Sequence, residues 1–94
     1  MNKDKIKEKL LSKGYSEKGA LHVAENLMRV DKRLRPLVEA WVTKDIEGDY
    51  SAEGYSIFGL KSTFKMKYPA ALLSIDWLLT DPKTALVAIQ KGIR

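Results

Sequence analysis

The stretch that decides the fold runs from position 68 to position 89 and reads YPAALLSIDWLLTDPKTALVAI. Proline is tolerated in the first turn of a helix, where its missing N–H costs no hydrogen bond, so Pro69 and Pro82 mark two helix starts. Asp81, directly before the second proline, is a favoured N-cap residue. Apolar residues follow each proline at helical spacing, at Ala71, Leu72, Ile75, Leu78 and Leu79 and then at Ala85, Leu86, Ile89 and Ile93. The sequence therefore predicts two consecutive helices here.

Helix signals of the same kind divide the first half of the chain. A first helix covers about 3–13 and ends at Gly14, because glycine adopts the left-handed conformation that follows a helix at little cost. Ser16 can cap a second helix. A third helix begins near Arg35, because Pro36 would remove a hydrogen bond from a helix interior. These signals predict three helices before residue 45.

A polar connection separates this half from the second. Residues 45–54 contain two glycines and four acidic residues, and Ser56 can cap a short helix after them. We therefore expect one helical domain over 1–94, with sub-bundles at about 1–44 and 55–94 joined by this acidic loop. No segment shows the two-residue alternation of a half-buried strand between hairpin turns. The sequence predicts an all-α fold, a compact bundle of five to six short helices with little or no sheet.

Two helices of the first half carry apolar residues at helical spacing. The third helix places its apolar stripe at Leu34, Leu37, Val38, Trp41 and Val42. The second helix has a wider apolar face, formed by Ala20, Leu21, Val23, Ala24, Leu27 and Met28. A face of that width is expected of a helix that is packed on both sides.

The residues that could carry chemistry are too few and too scattered for a catalytic or metal site. The sequence has no cysteine and one histidine, His22, which excludes thiolate ligands and histidine clusters. Acidic residues alternate from Asp45 to Asp49 as in a calcium loop, but Tyr50 and Ser56 stand where an EF-hand needs glycine and glutamate. We therefore predict a non-enzymatic protein with no cofactor and no metal.

Targeting and membrane signals are not recognisable in the sequence. The first nine residues lack the apolar core of a signal peptide. The longest apolar stretch, 69–79, is interrupted by Ser74 and Asp76 and is shorter than the roughly 20 residues that span a bilayer. These observations predict a cytoplasmic protein that does not bind a membrane.

A basic cluster beside the third helix raises the possibility of nucleic-acid binding. The formal net charge is +5, and Lys32, Arg33 and Arg35 lie close together beside the predicted start of the third helix. Asp31 can cap the element that follows it, and we expect 31–34 to form a turn that leads into this helix. A helix-turn-helix arrangement would make 69–80 the reading helix, but it contains no Lys, Arg, Asn or Gln to contact bases or phosphates. DNA binding through the basic cluster is therefore an alternative hypothesis.

The first forty or so residues resemble the three-helix pattern of ubiquitin-associated (UBA) domains. The residues that carry the resemblance are Leu10, Leu11, Gly14, Tyr15, Ala20, Ala24, Val38, Trp41 and Val42. Gly14 and Tyr15 stand at the family's Gly-Phe/Tyr loop, so the resemblance implies that these two residues contact a partner protein. The sequence departs from the family at Lys13, where UBA domains prefer methionine.

The whole chain also resembles short helical proteins of Gram-positive bacteria. The segments that carry this resemblance are Gly54-Tyr55-Ser56 and the YPAALL stretch at 68–73. This second resemblance implies no particular activity.

Trp77 is the aromatic residue whose position says most about function. On its helix it lies roughly opposite Ile75 and Leu79, so either two faces of that helix are buried or Trp77 is exposed. Exposed aromatic residues are frequent interface anchors. The sequence therefore favours a protein–protein interaction module for an unidentified protein partner. Its candidate contacts are Gly14, Tyr15 and Trp77, and DNA binding is the alternative.

Overall fold

Residues 2–92 form six helices and one small hairpin. A computed structural model describes residues 2–92, so Ile93, which the sequence assigns to the last apolar stripe, lies outside the described residues. The helices are α1 (Lys3–Ser12), α2 (Glu17–Leu27), α3 (Arg35–Lys44), α4 (Ile57–Phe64), α5 (Tyr68–Thr80) and α6 (Pro82–Gln90), and the strands are β1 (Ser51–Ala52) and β2 (Tyr55–Ser56). The prediction of an all-α fold with five to six helices is confirmed.

The chain divides between Gly48 and Asp49 into two compact units. Unit 1 contains α1, α2 and α3, and unit 2 contains the hairpin followed by α4, α5 and α6. The division falls inside the acidic segment 45–54 of the sequence, whose last residues already belong to the hairpin of unit 2. Each unit has apolar side chains of its own that are removed from solvent.

In unit 1, α1 contacts both other helices. The core of unit 1 is formed by Ile6, Leu10, Ala20, Ala24, Leu27, Val30, Leu34, Val38 and Trp41. The expectation that α2 is packed on both sides is wrong, because Leu21 is 39% exposed and Met28 is 40% exposed. A three-helix unit covers only part of each helix, and the buried residues of α2 occupy the other side, at Ala20, Ala24 and Leu27.

In unit 2, α5 contacts β1, α4 and α6. Helix α5 accordingly buries residues around most of its circumference, at Tyr68, Pro69, Ala71, Leu72, Ser74, Ile75 and Leu78. The buried Ser74 hydroxyl donates to the Ala70 carbonyl oxygen at 2.9 Å, so its burial leaves no unmade hydrogen bond. Pro69 occupies the second position of α5, one residue later than the sequence predicts, because the helix begins at Tyr68.

The hairpin occupies part of the segment that the sequence assigns to a loop. Ser51 pairs with Ser56 and Ala52 pairs with Tyr55 in antiparallel register. Both residues of its two-residue turn have positive φ, 52° at Glu53 and 83° at Gly54, as in the type I′ turn that suits the twist of paired strands. With two residues in each strand, the hairpin is too short to give an alternating sequence pattern.

Two helix starts, one in each unit, share the pattern Gly-Tyr-Ser-x-x-Gly, at 14–19 and at 54–59. Ser16 caps α2 by accepting the Gly19 N–H at 3.1 Å, and Ser56 caps α4 by accepting the Gly59 N–H at 2.9 Å. The glycine that opens each pattern has a positive φ.

Candidate protein-binding surface

Two exposed apolar side chains lie on the outer side of α2. Leu21 and Met28 are seven residues apart, so they lie on the same side of the helix, about 10 Å apart along its axis. Met28 and its neighbour Leu27 also line a groove with Arg35 and Glu39, which lie one turn apart on α3. We call these five residues the α2 surface.

The other large apolar side chains that are exposed in the described part of the chain lie on three different segments. They are Ile46, Phe58 and Val87, which belong respectively to the segment after α3, to α4 and to α6. Single exposed apolar residues are common on protein surfaces, whereas adjoining ones mark interaction sites. The α2 surface is therefore the strongest candidate interface among these exposed groups.

Exposed cations flank the residues of the α2 surface in the sequence. Lys18 lies one turn before Leu21, and Arg29 and Lys32 follow Met28. Arg35 belongs to the surface itself and is also exposed. Within residues 2–92, none of these four side chains forms an ion pair. Their charges are therefore available to a partner.

Arg33 differs from its neighbours because it is paired. Its guanidinium donates to both carboxylate oxygens of Asp31, at 2.8 Å and 3.1 Å, and these hydrogen bonds hold the pKa of Asp31 well below its ordinary value. Asp31 also accepts the Arg33 N–H at 2.9 Å. Residues 31–34 lead into α3 as a turn, as the sequence predicts, with Asp31 stabilising that turn. Leu34 occupies the N-cap position of α3 without a side-chain bond. Of the three residues in the DNA-binding alternative, Arg33 is held by Asp31. Lys32 and Arg35 are exposed and form no ion pair with another described residue.

Two carboxylates offset part of the positive charge around the α2 surface. Glu25 is half-buried, one turn from Leu21 and one turn from Met28 on the same side of α2. Glu39 is exposed on the wall of the groove. The surface and its neighbours therefore combine apolar groups with an excess of cations, with one carboxylate between the apolar residues and one on the wall of the groove.

The Gly14–Tyr15 loop, which the UBA resemblance implies as a contact, closes α1. Gly14 has a φ of 96° and donates to the Leu11 carbonyl oxygen at 3.1 Å, and Tyr15 N–H donates to the Leu10 carbonyl oxygen at 3.2 Å. These two bonds form a Schellman motif, the usual glycine-dependent end of a helix. Gly14 is exposed, and Tyr15 is half-buried, with burial raising the pKa of its hydroxyl. The loop has a clear structural role, and its role as a contact stays a prediction.

The two tryptophans differ in burial. Trp41 is 3% exposed in unit 1, and the Lys9 ammonium lies 5.4 Å from the centre of its ring. Trp77 is half-buried on α5 in unit 2. It is therefore neither a fully buried core residue nor a fully exposed anchor, the two cases that its position in the sequence left open. Its role as a contact also stays a prediction.

The acidic residues of the calcium-like segment have structural partners. Asp45 accepts from the ammonium groups of Lys9 and Lys13, at 2.5 Å and 3.2 Å, and these hydrogen bonds lower its pKa. Asp49 accepts the N–H groups of Tyr50 and Phe58, at 2.9 Å and 3.2 Å, which fixes the segment to the start of α4. Over the described residues, no three His, Asp or Glu side chains form a group that could hold a metal ion.

Sequence reasoning missed the α2 surface because it assigned Leu21 and Met28 to a buried face. The signal was present in the width of that face, which has five apolar residues within the eleven of α2 and a sixth, Met28, at its C-cap. Two neighbouring helices in a small unit cover a narrower stripe than this. An excess of apolar residues on a short helix therefore indicates either a third neighbour or an interface.

Comparison with known proteins gives no relative from which a function could be transferred. No known family, curated protein or solved structure matches the chain.

Across residues 2–92, none of the helices has both the length and the apolar character needed to cross a membrane.

Proposed function

We propose that this chain is a non-enzymatic protein–protein interaction module that binds its partner through the α2 surface. The observation that carries the proposal is the exposure of Leu21 and Met28 on one side of α2 beside the groove with α3. Exposed apolar groups that share one side of a helix can be covered by one partner, and their burial supplies binding free energy. A cytoplasmic location belongs to the same proposal.

The resemblance to UBA domains supports the same class of function with a different contact. In that family pattern Gly14 and Tyr15 face the partner, whereas the proposal here uses the outer side of α2. Trp77 in unit 2 is a further candidate contact. A test of the proposal must therefore separate the α2 surface from these three residues.

The test is a selection of displayed helical peptides on the full chain, followed by fluorescence anisotropy on the enriched peptides. The variant Leu21→Ser/Met28→Ser should lower their affinity by at least about tenfold, because each side chain at the centre of an interface contributes about 1–2 kcal/mol. Val87→Ser is the matched control, since Val87 is also an exposed apolar residue but lies on α6. Circular dichroism verifies that each variant is folded.

Three outcomes would contradict the proposal. The first is that no displayed peptide is enriched, and the second is that Val87→Ser weakens binding as much as the double variant does. The third is that the double variant binds normally while Tyr15→Ala or Trp77→Ala does not. That third result would move the interface to the residues that the sequence suggested.

Nucleic-acid binding is the second candidate, supported by the exposed cations Lys18, Arg29, Lys32 and Arg35. Phosphate binding by such groups weakens steeply as salt concentration rises. The check is the anisotropy of a labelled generic DNA duplex, measured at low and at physiological salt. Absence of binding at low salt would remove this candidate.

A further inference from the structure

We infer that the partner presents an acidic amphipathic helix to the α2 surface. This inference rests on the proposed function and adds the chemistry of the partner to it. Three observations carry it: the spacing of the apolar groups, the placement of the cations, and the position of Glu25.

The spacing of the apolar groups suits a helix. Leu21 and Met28 present two apolar contacts about 10 Å apart along α2, which is two helical turns. A partner helix with apolar residues at positions i, i+4 and i+7 repeats over the same distance, so it can cover both side chains at once. The adjoining groove, lined by Met28, Arg35 and Glu39, continues the same surface toward α3.

The placement of the cations makes that helix acidic. Lys18 precedes the apolar pair, whereas Arg29, Lys32 and Arg35 follow it, so positive charge stands at both ends. None of the four is neutralised by an ion pair within residues 2–92. Carboxylates on the flanks of a partner helix would meet these cations, which speeds encounter and fixes orientation.

The same charges disfavour a second copy of this chain in a symmetric pairing. Two identical patches that face each other around a two-fold axis would oppose two surfaces that each carry four cations and only two carboxylates, Glu25 and Glu39. Like charges placed across an interface disfavour it. The occupant is therefore a different chain.

The apolar groups and Glu25 make nucleic acid the poorer occupant. A phosphate backbone offers no apolar surface to Leu21 and Met28, and most contacts of a protein with duplex DNA are to phosphate and sugar. Glu25 stands on the same side of α2, one turn from each of the two apolar residues. Its carboxylate would repel a phosphate at the centre of the surface, whereas a protein helix can place a donor there.

The experiment uses three synthetic helical peptides with identical leucines at i, i+4 and i+7 and with flanks of glutamate, glutamine or lysine. Their affinity for the full chain is measured by anisotropy at low and at physiological salt. The glutamate peptide should bind about tenfold more tightly than the glutamine peptide at low salt, and raising the salt should reduce this difference. The lysine peptide should bind most weakly.

Charge variants of the protein sharpen the test. Arg29→Gln/Lys32→Gln should weaken the glutamate peptide and leave the glutamine peptide unchanged. Lys83→Gln is the control, because Lys83 is an exposed lysine on α6 of unit 2. Leu21→Ser/Met28→Ser should weaken both peptides, since it removes the apolar contacts that they share.

Failure of the inference differs from failure of the proposed function. If the glutamate and glutamine peptides bind equally and both depend on Leu21 and Met28, the acidic partner is overturned and the interaction module stands. If no peptide responds to the loss of these two side chains, the α2 surface itself is overturned. Tighter binding of a generic DNA duplex than of the glutamate peptide, abolished by Arg29→Gln/Lys32→Gln, would replace the acidic helix with nucleic acid.

Discussion

The two helix starts with the pattern Gly-Tyr-Ser-x-x-Gly reach the same geometry from different surroundings. At 14–19 the pattern follows a helix, and its first glycine ends α1 in a Schellman motif. At 54–59 it follows a strand, and its first glycine is the second residue of a hairpin turn. In both places a positive-φ glycine reverses the chain, and the serine then caps the next helix.

The difference between the two starts lies in the residues between the serine and the last glycine. Unit 1 has Glu17, which is exposed and pairs with Lys7 of α1 at 2.8 Å. Unit 2 has Ile57, which is fully buried, and Phe58, whose N–H is held by Asp49. The residues that the two patterns share therefore specify where a helix begins. The residues that differ specify what that helix packs against.

The largest difference between the two helix starts is expected when the residue after each serine is exchanged. Ile57→Glu places a carboxylate at a fully buried position, so it should lower the free energy of unfolding by roughly 3–4 kcal/mol. The reciprocal change, Glu17→Ile, removes an exposed ion pair and should have a small effect. Urea denaturation followed by circular dichroism measures both. Equal losses for the two variants would mean that the starts are used in the same way.

Replacing the first glycine should affect the two starts alike. An added Cβ would meet nothing within 4 Å at Gly14 or Gly54, so the loss in Gly14→Ala and Gly54→Ala comes from the positive φ alone. That conformation costs an L-residue about 1–2 kcal/mol. Gly48→Ala is the control, because its Cβ would make an ordinary contact with Leu37, 3.5 Å away. A loss at Gly54 far above that at Gly14 would show that the hairpin adds a constraint of its own.

The smallest expected effect is a decrease in the free energy of unfolding of unit 1 at acidic pH. Hydrogen bonds from Arg33 lower the pKa of Asp31, and those from Lys9 and Lys13 lower the pKa of Asp45. Both groups are more acidic when folded than when unfolded, so their stabilisation is present above the ordinary aspartate pKa of 3.8 and is lost as pH falls below it.

Urea denaturation at a series of pH values below 4.5 measures this dependence, and Asp31→Asn/Asp45→Asn should flatten it. Asp49→Asn is a comparison variant, because Asp49 accepts from backbone N–H groups in unit 2 and not from a cation. An unchanged slope in the Asp31/Asp45 double variant would assign the acid sensitivity to other groups.

Most of the helix framework could be predicted from the sequence, because its signals are local. Pro82 begins α6 at the predicted position, and Pro36 lies in the first turn of α3 as expected. Ser16 and Ser56 cap the helices that they precede. Capping bonds reach only three residues along the chain, so the residues next to a helix start are enough to predict it.

Features that depend on which elements become neighbours could not be predicted in the same way. The apolar face of α2 predicted burial correctly at Ala20, Ala24 and Leu27. It was wrong at Leu21 and Met28, because the sequence of a helix does not show how many other helices surround it. The pairing of Arg33 with Asp31 likewise depends on a turn whose geometry the cluster of charges did not reveal. The candidate interface was therefore found in the structure, whereas the class of function came from the sequence.

The placement of one tryptophan in each unit gives each unit its own spectroscopic reporter. Trp41→Phe leaves emission from unit 2 alone, and Trp77→Phe leaves emission from unit 1 alone. Denaturant titrations of the two variants therefore follow the unfolding of each unit separately. Coincident midpoints are the signature of one cooperative domain, and separated midpoints are the signature of two.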